Sequence, residues 1–135
     1  MRFHHVGLVC RDLAEGKAGL EAMLGLLEWS QSYEDPIQQV CAQFATDAAG
    51  MRYELIAPTT EKSPVRAPLQ QGKNILNHLA YIVPCLEEQA ASLRQQGCLP
   101  TGEPQPGIAF AGARIQFFVS PMRWLVELIE QPPKV

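Results

Sequence analysis

The chain has 135 residues, 47% of them hydrophobic and 19% charged, with a formal net charge of −3. That length suits one domain or two small repeats sharing a core, and the weak charge with no Lys/Arg stripe argues against a nucleic-acid partner. No apolar run reaches the roughly 20 residues of a membrane span. The opening Met1-Arg2-Phe3-His4-His5 breaks any signal-peptide core at once, so a cytoplasmic chain that meets no membrane is expected.

In chain order, residues 3–10 read as a strand. Asp12, with Glu15 three residues on, marks a helix start, and Leu13, Leu20 and Met23/Leu24 supply an apolar stripe that Gly25 ends. Residues 26–33, 38–46 and 51–57 read as strands, with Thr46-Asp47-Ala48-Ala49-Gly50 as a turn. A polar, Pro-rich crossover follows, in which Ser63-Pro64 would start one short helix. The order then repeats. Residues 76–83 form a strand, and 86–96 form a helix with Leu86, Ala90 and Leu93 on one face, closed by Gly97. Two or three strands follow inside "PGIAFAGARIQFFV" and "RWLVELIE". The expectation is a single domain over 1–135, built from modules 1–58 and 75–131 joined by the crossover 59–74.

The repeat has a fixed offset of 73 positions, from His5 to His78 and from Glu54 to Glu127. Each half therefore places a histidine and a glutamate 49 residues apart. Alternation along a strand puts His5 with Gly7 and Val9, His78 with Ala80 and Ile82, Glu54 with Ile56, and Glu127 with Ile129. Each polar residue thus sits on a face that should point inward. A carboxylate buried alone costs several kcal/mol or a large pKa shift. Two imidazoles and two carboxylates are reconciled by converging on one divalent ion, and the donor set suits Zn, Ni, Co, Fe or Mn. Four ligands of this kind leave positions open for water or substrate, the layout of a catalytic site. His4 has the opposite parity to His5, and its aligned position is Asn77, so it is read as surface or supporting. Cys10, Cys41, Cys85 and Cys98 form no C-x-x-C pair and are read as reduced thiols. Lys62, Arg66 and Lys73 are read first as a solvated linker, and second as a phosphate contact.

The segments "HHVGLVCRDL", "YELIAPTTEKSP", "NHLAYIVPCLEEQAASLRQQG" and "LVELIE" together resemble the vicinal oxygen chelate superfamily over nearly the whole chain. That superfamily holds glyoxalase I, methylmalonyl-CoA epimerase, extradiol dioxygenases and the fosfomycin and bleomycin resistance proteins. The resemblance implies an α+β fold of two βαβββ modules packed side by side, with a curled mixed sheet enclosing a metal cleft. It implies His5, Glu54, His78 and Glu127 as ligands, a small-molecule substrate and a homodimer. The Glu54 ligand and the crossover resemble the glyoxalase I and epimerase branches. The implied function is a lyase or isomerase that abstracts a proton next to the carbonyl of a thioester or hemithioacetal. Glu127 is the first candidate for the base, and Glu54 the second. Epimerases carry a further catalytic glutamate at the position matched by Ala42, where neither Ala42 nor the adjacent Gln43 can act as a base; Gln43 is assigned at most a substrate contact. The alternatives are an antibiotic-type small-molecule binding protein and another metalloenzyme of the superfamily, a transferase or a dioxygenase.

Overall fold

A computed structural model describes residues 1–73 and 75–132. Asn74, the last residue of the expected crossover, lies outside them. Strands pair both parallel and antiparallel, and the described residues fall into two compact units, one within 5–77 and the other comprising 1–4 with 78–132.

The His5–Asn77 unit holds most of β1 (Arg2–Val9), α1 (Leu13–Leu24), β2 (Glu28–Asp35), β3 (Val40–Thr46), β4 (Arg52–Pro58) and α2 (Arg66–Gln71). The strand order is β2-β3-β4-β1, antiparallel except for the parallel pair β1–β4. A parallel pair needs a crossover, and the chain between β1 and β4 supplies it. Asp12 caps α1 by accepting a hydrogen bond from the Glu15 backbone at 2.8 Å, while the Glu15 carboxylate turns to Arg11 at 2.7 Å. Gly25 ends the helix at φ +85°, a conformation that suits a residue without Cβ. One face of this sheet packs on α1 through Leu20, Leu27, Ala45 and Leu55. The opposite face carries Val9 and Ile56, which pack against Val65 and Leu69 at α2.

The second unit holds β5 (Leu76–Val83), α3 (Leu86–Gln95), β6 (Leu99–Pro100), β7 (Gln105–Pro106), β8 (Arg114–Val119) and β9 (Leu125–Glu130). β5 pairs parallel with β9, β9 antiparallel with β8, and β8 antiparallel with both β6 and β7. Helix α3 covers one face through Leu86 and Ala90, packed on Val83, Phe118, Val126 and Leu128. The first N–H of α3 is capped from a distance, since Leu86 donates to Glu130 Oε1 at 3.1 Å. Arg114 holds that carboxylate at 2.8 Å and reaches Glu87 at 2.6 Å.

Local boundaries differ from the expectations in several places. β2 begins two residues later than expected, and α2 starts at Arg66, beyond Ser63-Pro64, because residues 60–66 first close two turns (Ser63 N–H to Thr60 at 3.2 Å, Arg66 N–H to Ser63 at 3.1 Å). In "PGIAFAGA" the chain forms a 3-10 turn over Ile108–Phe110, with Ala111 left-handed at φ 54° and Gly107 bonded to Ala113 at 2.8 Å, and β8 and β9 supply two of the two or three strands expected in this region. The partner of β8 is split into β6 and β7, where Pro104 and Pro106 each lack a backbone donor for a continuous ladder.

Candidate metal-binding and catalytic pairs

In the His5–Asn77 unit, β1 and β4 are parallel neighbours with Gly7 opposite Glu54, which puts His5 and Glu54 on one face. That face is the one opposite α1. His5 is fully buried and Glu54 nearly so, with His5 Nε2 3.5 Å from Glu54 Oε1. Across β4, Phe44 stands opposite Glu54 and sets its ring edge-on to the His5 imidazole, centroids 5.2 Å apart.

The second unit repeats this with its own strands. Ala80 lies opposite Glu127, so His78 and Glu127 share the face away from α3. Both are buried, with His78 Nε2 3.4 Å from Glu127 Oε1. Phe117, opposite Glu127 on β8, meets the His78 ring edge-on at 5.3 Å. The two phenylalanines, 44 and 117, obey the same 73-residue offset as the histidines and glutamates. Sequence reading passed over them, although the offset itself was the signal that would have found them.

The separation inside each pair bears on what the pair can hold. A charge-assisted hydrogen bond is shorter, about 2.7–2.9 Å. Two ligand atoms each about 2.1 Å from one ion at a tetrahedral angle lie about 3.4 Å apart. An imidazole nitrogen and a carboxylate oxygen at 3.4–3.5 Å therefore fit neighbouring ligands of a divalent ion. The donor chemistry, nitrogen plus anionic oxygen, suits a borderline cation.

Gln43 lies on the face opposite Glu54 and Phe44, toward α1. It donates to the Ser30 carbonyl at 2.7 Å, and Ser30 Oγ in turn accepts from the Phe44 backbone at 3.1 Å. These bonds fill an irregularity in β2, where pairing shifts by one residue between Trp29 and Ser32. Gln116, again 73 positions on, is buried and donates to the Gly102 carbonyl at 3.0 Å beside the break between β6 and β7. His4 is half-buried and packs edge-on to Phe110 at 5.6 Å. In the crossover, Arg66 donates to Thr60 at 3.2 Å and reaches Glu61 at 3.4 Å, while Lys62 and Lys73 are exposed. All four cysteines are free thiols, and burial beside Cys41 pushes the Cys10 thiol up to about 11. No helix among the described residues is long and apolar enough to cross a membrane.

Each unit is a sheet with a helix on one face and a buried His–Glu pair on the other, the mark of an α+β protein with an internal repeat. The chain belongs to the Glyoxalase/Bleomycin resistance protein/Dioxygenase superfamily, whose family model matches residues 4–117. An uncharacterized protein of Bacillus subtilis, YqjC, is 32% identical over 95 residues, 70% of this chain and 66% of that protein, just under two thirds of its length. The crystal structure of methylmalonyl-CoA epimerase from Mycobacterium tuberculosis superposes with a TM-score of 0.81 at 25% identity, covering 98% of this chain and 89% of that one. A hypothetical protein from Bacillus halodurans, BH1468, superposes with a TM-score of 0.80 at 24% identity, covering 99% and 96%.

Proposed function

We propose that His5, Glu54, His78 and Glu127 together hold one divalent ion (Zn, Ni, Co, Fe or Mn) and that the chain is a metal-dependent lyase or isomerase of the glyoxalase/epimerase type. The observation that carries this reading is the repeated buried pair, an imidazole and a carboxylate 3.4–3.5 Å apart in each unit. Each pair alone supplies two ligands, half of an ordinary four-ligand set. Bound there, the ion supplies Lewis-acid polarisation of a substrate carbonyl. Glu127 acts as the base. Its carboxylate takes the proton from the carbon next to the carbonyl, the electron pair of that C–H bond moves toward the carbonyl oxygen, and the resulting acid returns the proton to carbon. Glu54 is the second candidate for this step. Phe44 and Phe117 hold the imidazole planes and keep water from the pairs. The solved epimerase named above supports a CoA thioester as one substrate class, and a glutathione hemithioacetal is the other. A homodimer and a cytoplasmic setting belong to the same proposal.

The deciding experiment pairs metal analysis with turnover on methylmalonyl-CoA and on the methylglyoxal–glutathione adduct. The reading expects one divalent ion per chain and proton exchange on one of the two substrates. Glu127→Gln should retain structure and lose turnover. Full turnover in that variant would remove Glu127 from the mechanism. A chain that takes up no divalent ion would instead favour the small-molecule binding protein.

A further inference from the structure

One rung of the sheet in the His5–Asn77 unit carries a pair of thiols. Cys41 on β3 lies directly opposite Ala57 on β4. On the other side of β4, Val9 of β1 stands opposite Ile56 in a parallel pair, so Cys10, the next residue, also falls beside Ala57. One small side chain therefore separates the two cysteines. Both stand on the α1 side of the sheet. Cys10 packs there with Leu20 and Leu55, and Cys41 has the parity of Ala45, which is buried in the same cluster. Each sulfur leans toward the strand between them. Cys10 Sγ donates to the Ile56 carbonyl and Cys41 Sγ to the Ala57 carbonyl, both at 3.7 Å.

The surroundings suit an incoming cation. Gly16 of α1 leaves room over Cys10, where a Cβ would lie 2.7 Å from the sulfur. Glu34 stands opposite Cys41 on β2, and Asp12 and Glu15 at the start of α1 act on Cys10. Negative charge beside both thiols attracts a positive ion. With no ion bound, burial and these carboxylates hold both sulfurs protonated: burial, Cys41, Asp12 and Glu15 push Cys10 up to about 11, and burial with Glu34 raises Cys41.

The spacing selects the chemistry. Two strand spacings put the Cα atoms about 10 Å apart. A disulfide needs about 4.4–6.8 Å, so the sheet holds this pair too far apart for a direct S–S bond. An ion set between two thiolates makes a longer bridge, because sulfurs about 2.3 Å from one ion on a line lie about 4.6 Å apart. Soft thiolate donors select Cu+, whose filled shell accepts two ligands in a line.

We propose that Cys10 and Cys41 form a second metal site, which holds one Cu+ ion between two thiolates on the α1 side of the sheet. On binding, each Sγ–H gives its proton to solvent and each sulfur gives an electron pair to the ion, with no change of oxidation state. His5 and Glu54 lie on the opposite face, so this site stands whether or not they hold a divalent ion. Cys85 and Cys98 belong to the other unit and take no part.

The test titrates the full chain, reduced and kept anaerobic, with Cu+ delivered from its bicinchoninate complex. One Cu+ per chain should transfer to the wild type. Cys10→Ser and Cys41→Ser should each weaken the transfer at least about 100-fold, and Cys85→Ser should leave it unchanged. X-ray absorption of the Cu+-loaded wild type should show two sulfur neighbours. No uptake by the wild type, unchanged affinity in both the Cys10 and Cys41 variants, loss of uptake in Cys85→Ser, or a shell of nitrogen and oxygen overturns the site. Should a serine variant fail to fold by circular dichroism, the absorption spectrum of the wild type and the Cys85→Ser titration decide.

Discussion

Replacing Glu54 by glutamine separates what the carboxylate does for the fold from what it does for a metal. Glu54 is 8% exposed and 3.5 Å from His5 Nε2. In the metal-free chain its charge is buried at a desolvation cost, so a neutral amide of the same shape should leave stability unchanged or raise it. With metal the sign reverses. Loss of an outer-shell partner alone weakens metal binding by about 10- to 100-fold, so loss of a direct ligand should weaken it at least about 100-fold. At a metal concentration of about 1,000 Kd the wild type gains about 4 kcal/mol, and the variant, then at about 10 Kd, gains about 1.4. Unfolding entropy near 2.1 cal/mol/K per residue gives about 0.28 kcal/mol/K for this length. The metal-induced rise in Tm should therefore fall from about 15 °C to about 5 °C. Thermal melts with and without Co2+ or Zn2+ read this directly. Glu127→Gln should show a similar loss, because its pair has nearly the same separation, 3.4 Å. A full Tm increment in both glutamine variants would show that these carboxylates hold no metal despite the 3.4–3.5 Å pair separation.

Helix α1 carries two glycines with opposite expectations. Gly19 is exposed and a Cβ there meets nothing within 4 Å, so Gly19→Ala should stabilise by about 0.5–1 kcal/mol in a denaturant titration. A Cβ on Gly16 would lie 2.7 Å from Cys10 Sγ and 3.1 Å from Leu55, so Gly16→Ala should destabilise by about 1–3 kcal/mol despite the better helix former. Gln43→Leu should cost about 1–3 kcal/mol by leaving the Ser30 carbonyl without its amide, with metal affinity unchanged; a loss of metal affinity would refute the structural role assigned here. The Arg114 guanidinium holds the Glu87 carboxyl down at about 2 and lowers that of Glu130. Depressed carboxyl pKa values contribute stability above the unfolded value near 4.5 that is lost as pH falls toward 2. Arg114→Met should therefore lower Tm at pH 7, and the gap to wild type should close across that acidic window; a gap independent of pH would assign the loss to packing.

Much of the candidate site was legible because a duplicated chain repeats its polar residues in register. His5, Glu54, His78 and Glu127 stand out from one offset and strand parity. The capped start of α1 and its glycine end follow from local backbone chemistry, and both stand where the residues placed them. Strand parity also implied that His5 and Glu54 would share a face, but the 3.5 Å between them needed the β1–β4 pairing of residues far apart in sequence.

Other features had no local signature. Alternation says which residues share a face, and it fails across an inserted residue. Trp29 and Tyr33 have the same parity, yet they serve opposite faces, because β2 shifts register between Trp29 and Ser32. The hydrogen bonds that fix this shift come from Gln43 and Ser30, residues thirteen positions apart that meet only in the sheet. The sequence by itself determined the repeated elements and the four polar residues on inward faces. Only the tertiary structure decided that Gln43 closes a strand irregularity on the helix side and that Tyr33 stands beside Ala42 on the face of Glu54. The physical reason is that periodicity is a property of one strand, whereas register and bulges are properties of a pair.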